Sequence, residues 1–259
     1  MSQADWVSVQ QDARGVAWVT IENAAKLNTL NQAVMAALIA AVERLADDPA
    51  LRAVVLRGAG TQAFIGGADI AEMATLDAGS ARDFITLVHR SCDVFRRLPV
   101  PAIACIQGWT LGAGLEVAAA CDLRFAASTA KFGMPEVRVG IPSVVEAALL
   151  PGLIGWGRTR RLLLTGETID ATTALSWGLV EEVVSVGQLT AAVERALTGI
   201  LVSGPRAIRL QKRLISDWET LPVGEAIQRG IDCFTSAWET DEPHGLMQRF
   251  LDHQRQRKR

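Results

Sequence analysis

Residues 103–123 read Ile-Ala-Cys-Ile-Gln-Gly-Trp-Thr-Leu-Gly-Ala-Gly-Leu-Glu-Val-Ala-Ala-Ala-Cys-Asp-Leu, an apolar run, a turn and a second apolar run. The first run is typical of a buried strand, and the small residues at 112–114 indicate that a helix begins there. The N–H groups of a first helical turn lie at the positive end of the helix dipole. Glu116 lies among apolar neighbours in this helix, and a buried carboxylate must be paired, hydrogen-bonded or functional.

The sequence on both sides of this stretch predicts an α/β fold with largely buried sheets, because strand and helix patterns alternate to about residue 185. After residue 188 only helical patterns remain, separated by Gly-Pro, Leu-Pro and Glu-Pro pairs. We therefore expect an α/β region at 1–187 and a helical region at 188–259. The predicted elements are a hairpin at 6–9 and 16–22, helices at 31–46, 80–97 and 114–121, strands at 53–57, 102–106 and 122–127, and C-terminal helices at 188–202, 205–217, 222–239 and 243–256.

Composition excludes several classes of protein. Of the 259 residues, 49% are apolar and 21% charged, which is enough apolar material for a large core and excludes intrinsic disorder. The net charge of −2 gives no general basic field for nucleic acid. The four cysteines, at 92, 105, 121 and 233, lack CxxC spacing and predict neither a zinc site nor a disulfide framework. With no secretory signal pattern visible, we expect a cytoplasmic protein.

Two more segments contain residues suited to chemistry. The sequence Ala63-Phe-Ile-Gly-Gly-Ala-Asp-Ile70 predicts a tight turn before a helix, whose N–H groups can bind an anionic oxygen, with Asp69 as helix cap. The sequence Lys131-Phe-Gly-Met-Pro-Glu136 places a second glutamate in a loop after a strand. A dinucleotide-binding glycine motif is disfavoured, because Val117 stands where Gly112-x-Gly114 would need a third glycine.

These three segments together resemble the enoyl-CoA hydratase/isomerase (crotonase) superfamily. The resemblance begins near Lys26-Leu-Asn-Thr-Leu30, includes residues 164–180 and covers the chain from about 20 to 185. It implies a ββα spiral that binds an acyl-CoA thioester, with a helical C-terminal region that assembles trimers or hexamers. It also implies no cofactor beyond the coenzyme A of the substrate. From the net charge of −2 we expect no nucleic-acid partner, and from the absence of a continuous apolar helix we expect no membrane partner.

The resemblance also implies roles for individual residues. The backbone N–H groups of Ala68 and Ala113 match the two donors that polarise the thioester carbonyl. Glu116 matches the base that deprotonates water, and Glu136 the acid that protonates the α-carbon. The substrate-binding set implied by the resemblance is Lys26, Leu27, Gly67, Ala68, Asp69, Ile70, Ala71, Gly112, Ala113 and Val144, with no metal ligand.

The sequence departs from the family pattern at residues 143–146. Val144 matches a family glycine that helps to seat the water, and branched side chains here predict a narrower pocket and a preference for short acyl groups. Ser143-x-x-Glu146 before an apolar run fits a capping box, which predicts that both side chains serve a helix start.

The function that this pattern favours is hydration of an enoyl-CoA, or the reverse dehydration, because two glutamates are present. Isomerisation, decarboxylation and thioester hydrolysis within the same superfamily stay open. A catalytically inactive homologue that binds CoA or RNA is a further alternative. A serine hydrolase is disfavoured because the chain has no G-x-S-x-G.

Overall fold

The computed structural model describes residues 6–257, whose strands form a six-stranded and a four-stranded sheet. In the larger sheet, the first two strands pair antiparallel and every later pairing is parallel. Its strands, in spatial order, are β1 (Val7–Gln11), β2 (Val16–Ile21), β3 (Ala53–Gly58), β5 (Ala102–Ile106), β7 (Leu123–Ala127) and β10 (Glu182–Val184).

The smaller sheet is built from strands of three residues each. Its first three strands are parallel to one another, and the last pairs antiparallel. In spatial order they are β4 (Ala63–Ile65), β6 (Trp109–Leu111), β8 (Lys131–Gly133) and β9 (Thr168–Asp170).

Helices follow most strands and account for the C-terminal part of the described chain. They are α1 (Gln32–Ala46), α2 (Ile70–Met73), α3 (Ala78–Arg96), α4 (Ala113–Ala120), α5 (Leu150–Thr165), α6 (Ala171–Trp177), α7 (Leu189–Leu201), α8 (Pro205–Trp218), α9 (Val223–Ala237) and α10 (Glu242–Arg257). The α/β class is confirmed, as are the N-terminal hairpin, strand 102–106 and the C-terminal helices to within two residues of their predicted ends.

Local sequence explains where the early helices begin and end. The Asn31 side chain accepts a hydrogen bond from the Val34 N–H at 2.8 Å and caps α1, which ends before Asp47. Asp69 accepts from the N–H groups of Ala71 and Glu72 at the start of α2, as its predicted role as a cap requires.

Each face of the larger sheet packs against its own hydrophobic core. On one face, α1, α3 and α4 pack into the main core with the smaller sheet. On the other, α7 packs Leu189, Val193 and Leu197 against Val55 and Ile103. In residues 6–257 no helix combines the length and the apolar character that crossing a membrane requires.

Candidate active site

The predicted site residues lie where three neighbouring parallel strands end. Strand β4 leads into the loop with Ala68, β6 leads into Ala113, and β8 leads into Glu136. The carboxyl ends of neighbouring parallel strands lie at the same edge of a sheet, where ligands bind in open α/β structures. Three segments far apart in sequence therefore meet at one edge.

Ala68 and Ala113 are placed so that their N–H groups are free to bind an oxygen. A parallel β-bridge joins the Ala68 loop to Leu30. Its two hydrogen bonds run from the Leu30 N–H to Gly67 O and from the Asp69 N–H to Leu30 O, so they involve the residues on either side of Ala68 and not the Ala68 N–H. In a parallel bridge of this kind, the N–H of the central residue points away from the bonded partner. Ala113 is the first residue of α4, where a backbone N–H has no partner within the helix.

Close backbone packing requires glycine at several positions around these donors. A Cβ on Gly114 would lie 2.2 Å from Ile65 O, so the start of α4 can approach β4 only with glycine there. Gly112 has φ +49°, and a Cβ there would lie 2.2 Å from Oε1 of Glu136. The Glu136 carboxylate therefore lies directly against the backbone that presents the Ala113 N–H.

The Glu136 carboxylate is also held from its other side. Its Oε2 accepts a hydrogen bond from Ser143 Oγ at 2.7 Å, which leaves Oε1 as the oxygen facing Gly112. When Glu136 is protonated on Oε1, that proton lies beside the start of α4. The geometry suits a proton donor to an atom adjacent to a carbonyl bound there.

Glu116 is buried, with 5% of its surface exposed, and Oε1 accepts a hydrogen bond from the Ala147 N–H at 3.3 Å. Burial raises the pKa of Glu116 to about 8, and the nearby carboxylates of Glu136 and Glu146 add to this effect, while the Ala147 N–H opposes it. A pKa near neutral pH suits a group that both takes up and releases a proton.

The segment 143–147 differs from the predicted capping box. The short 3-10 helix that begins at Val145 has no side-chain cap, and Val144 stands at the N-cap position. Ser143 instead binds Glu136, and Glu146 binds His89 on α3 at 2.7 Å. The capping-box prediction is wrong because tertiary partners take both side chains that the local pattern assigned to backbone N–H groups.

The predicted CoA-contacting residues gather beside the Ala68 loop. The Gly66 N–H donates to Leu27 O at 2.8 Å, and Lys26 Nζ lies 3.5 Å from the Asp69 carboxylate. An open depression of about 510 Å³ adjoins them, with Lys26, Asn31, Gln32, Ala33, Asp69, Ala71 and Glu72 along its surface. Ile70 is exposed, as is Lys26, so both are available to a ligand.

Comparison with known proteins fits this geometry. Residues 11–257 match the sequence profile of the family described as Enoyl-CoA hydratase/isomerase. The chain belongs to that family. Among curated relatives of this family member are crotonyl-CoA hydratase of Syntrophomonas wolfei, 36% identical over 87% of each chain, and short-chain-enoyl-CoA hydratase of Clostridium acetobutylicum, 34% identical over 92% of this chain and 91% of the relative.

Solved structures share the fold of this enoyl-CoA hydratase/isomerase family member over nearly its whole length. An enoyl-CoA hydratase from Bacillus anthracis superposes with a TM-score of 0.92 at 30% identity, covering 96% of each chain. DspI from Pseudomonas aeruginosa also gives 0.92, at 29% identity, covering 98% of this chain and 96% of the other. The expected crotonase-type fold with a helical C-terminal extension is therefore confirmed.

Sequence reasoning missed several contacts in the site of this family member. It did not include His89, and it gave Ser143 and Glu146 a role in a helix cap rather than beside the two glutamates. In the sequence, Glu146 has apolar neighbours from 144 to 150, as Glu116 has in its own helix. This position was a signal that the Glu146 carboxylate would be buried, which the structure shows it to be.

Proposed function

We propose that the chain is an enoyl-CoA hydratase, a hydro-lyase that adds water to the α,β double bond of an acyl-CoA thioester or removes it. The observation that carries this proposal is the meeting of two glutamates and two free N–H positions at the ends of β4, β6 and β8. Names of relatives at 34–36% identity, which include crotonyl-CoA and short-chain-enoyl-CoA hydratases, support the same reaction.

The proposed addition uses four groups of the chain. The N–H groups of Ala68 and Ala113 bind the thioester oxygen and stabilise the charge that develops on it. Glu116 takes a proton from water as the water oxygen bonds to the β-carbon. Glu136 gives a proton to the α-carbon as the enolate collapses. In dehydration, protonated Glu116 returns its proton to the leaving hydroxyl.

An absorbance assay at the enoyl-thioester band tests this function directly. Purified chain is mixed with a panel of enoyl-CoAs of different chain length, with water as the second substrate. We expect loss of the band and formation of the 3-hydroxyacyl-CoA, identified by mass. A chain that binds the thioesters and leaves the whole panel unchanged would refute the proposal.

Selectivity for short acyl groups is a second expectation at this site. Val144 is 39% exposed and lies between Ser143, which binds Glu136, and the turn that contacts Glu116. Replacing Val144 with Gly removes a branched side chain, so we expect kcat/KM to shift toward long chains by about 10-fold, since one methylene changes binding by about 1–3 kcal/mol. The measurement is kcat/KM along a chain-length series from C4 upward.

Val186→Gly is a matched control for this series, because Val186 has a similar exposed fraction and lies in the connection before α7. It is expected to leave the chain-length profile where it is in the wild type. A wild type that prefers long chains, with the same profile in Val144→Gly, would contradict the narrow-pocket interpretation.

We further propose an acyl-CoA site along residues 26–33 and 67–72, and assembly of chains through the C-terminal helices. Within the described chain, large apolar side chains are exposed on α8–α10 and in the turn after α9, and a second copy would cover them. They include Trp218, Val223, Ile227, Ile231, Phe234, Trp238, Met247 and Phe250. The family resemblance favours a trimer or hexamer, with 1–187 as the catalytic region and 188–259 as the assembly region.

The proposed reaction requires no cofactor beyond the coenzyme A of the substrate, because the chain's own N–H groups and carboxylates supply polarisation and proton transfer. A cytoplasmic location is also proposed. The four cysteines support it, since all are free thiols in the structure.

A further inference from the structure

One short turn contacts both proposed catalytic carboxylates. At its beginning, Ser143 Oγ donates to Glu136 Oε2 at 2.7 Å. At its end, the Ala147 N–H is shared between Val144 O at 2.9 Å and Glu116 Oε1 at 3.3 Å. A displacement of residues 143–147 would therefore move a hydrogen-bond donor away from each glutamate at once.

The backbone of this turn is strained. Val145 has φ +39°, in a region that a β-branched residue rarely occupies and that costs free energy unless surrounding contacts hold it. Glycine occupies such positions without a side-chain clash. A chain with valine there needs an external contact that keeps the turn in place.

Glu146, the next residue, supplies such a contact. It is 6% exposed, and its Oε1 is hydrogen-bonded at 2.7 Å to Nδ1 of His89, which lies on α3 with about half of its side chain exposed. His89 Nδ1 provides the nitrogen partner of this buried carboxylate, and the buried Cys92 thiol also donates a hydrogen bond to it. Burial and the Glu146 and Glu116 carboxylates hold the pKa of the neighbouring Cys92 thiol well above its usual range, so Cys92 stays neutral beside the pair.

We propose that Glu146 and His89 form an anchor that fixes the 143–147 turn to α3 and thereby positions both Glu116 and Glu136 for catalysis. The inference rests on the proposed hydratase function. Glu146 and His89 are positioning residues: they act through Ser143 and the Ala147 N–H, and neither has to touch the substrate. His89 lies 57 residues before Glu146, so the anchor joins the site to a helix outside the three strand ends.

The anchor is tested with His89→Ala, Glu146→Ala, the double variant and Glu146→Gln in the hydration assay. Each alanine variant is expected to lower kcat by about 10- to 100-fold, because a misplacement of about 1 Å has an effect of this size, while KM changes far less. The double variant is expected to lose no more than the larger single loss, since both residues act as one unit. Glu146→Gln is expected to recover most of the activity, because its amide oxygen can accept the hydrogen bond from His89.

Arg90→Ala is the matched control. Arg90 is the next residue on α3 and forms an exposed ion pair with Glu43 at 3.9 Å, so this variant also removes a charged partner of α3 and is expected to keep wild-type kcat.

His89→Ala decides the outcome, because half of the side chain is exposed and its loss leaves the apolar core unchanged. Wild-type kcat in this variant would overturn the anchor while leaving the hydratase function intact. Equal losses in Glu146→Gln and Glu146→Ala would overturn it as well, because the shared hydrogen bond would then not be the cause. A wild type that hydrates no enoyl-CoA would instead refute the proposed function, and this inference with it.

Discussion

Glu116→Gln and Glu136→Gln are each expected to lower kcat for hydration of an enoyl-CoA by roughly 10²–10⁴-fold, the range typical of a positioned acid or base. Glutamine keeps the size of the side chain and removes its ability to exchange a proton. Both residues are built into the backbone framework around them, Glu116 within α4 and Glu136 between Gly112 and Ser143. The kinetic constants with a short enoyl-CoA are the measurement.

Binding of the thioester provides the internal control for both variants. The proposed contacts to the thioester oxygen are backbone N–H groups, and the proposed CoA region lies around Lys26 and Asp69, so Kd for a non-reactive acyl-CoA is expected to change little. Glu43→Gln, on the exposed face of α1, is expected to behave as wild type. Near wild-type hydration by both active-site variants would refute the two-glutamate mechanism.

The raised pKa of Glu116 predicts how the stability of the chain depends on pH. The carboxyl has an ordinary pKa of 4.5 in an unfolded chain and about 8 in the folded chain, so the folded state holds this proton more tightly. The stabilisation is complete below pH 4.5 and is lost as pH rises toward 8, by at most about 1.4 kcal/mol per pH unit.

Glu116→Gln removes this group, so its free energy of unfolding should exceed that of the wild type increasingly between pH 5 and about 8. Urea unfolding of both chains at several pH values measures the difference. Parallel stability curves over this interval would show that Glu116 ionises normally in the folded chain.

The sequence correctly predicted those elements whose formation depends on residues close together along the chain. Helix α1 could be predicted because its apolar spacing lies within one segment, and the start of α4 because the small residues at 112–114 mark a helix start. Strands β4, β6 and β8 have only three residues each, too few for a period-two pattern to appear. Their place in one sheet had to come from the family resemblance or the structure.

The prediction for Ser143 and Glu146 failed for a different physical reason. Spacing along the chain gives the partners that a side chain can reach locally, and a capping box is such a local pattern. The actual partners, Glu136 and His89, lie 7 and 57 residues away: Ser143 Oγ donates to the Glu136 carboxylate, and the Glu146 carboxylate is hydrogen-bonded to Nδ1 of His89, so neither side chain is turned toward the backbone N–H groups of the helix start. The tertiary arrangement of α3, α4 and the 143–147 turn decides which partner Ser143 and Glu146 each bind.

Gly112→Ala is expected to lower kcat by about 100-fold with a modest loss of stability. The new Cβ would lie 2.2 Å from Glu136 Oε1, the free end of a side chain, so the carboxylate can move away at little cost to folding. That movement takes the proposed acid from its place beside the Ala113 N–H and strains its hydrogen bond with Ser143. The reaction should therefore suffer much more than the fold.

Gly140→Ala separates this collision from backbone strain. Gly140 also has positive φ, +84°, but a Cβ there would meet no atom within 4 Å, so alanine adds only the left-handed strain of about 1–2 kcal/mol. We expect both variants to lower Tm, Gly112→Ala by more because its backbone (φ +49°, ψ −122°) lies outside the left-handed region that Gly140 occupies, and a large fall in kcat for Gly112→Ala alone. Equal kcat values in the two variants would mean that the Glu136 carboxylate does not depend on the absence of a side chain at residue 112, and that its contact with the start of α4 has no part in catalysis.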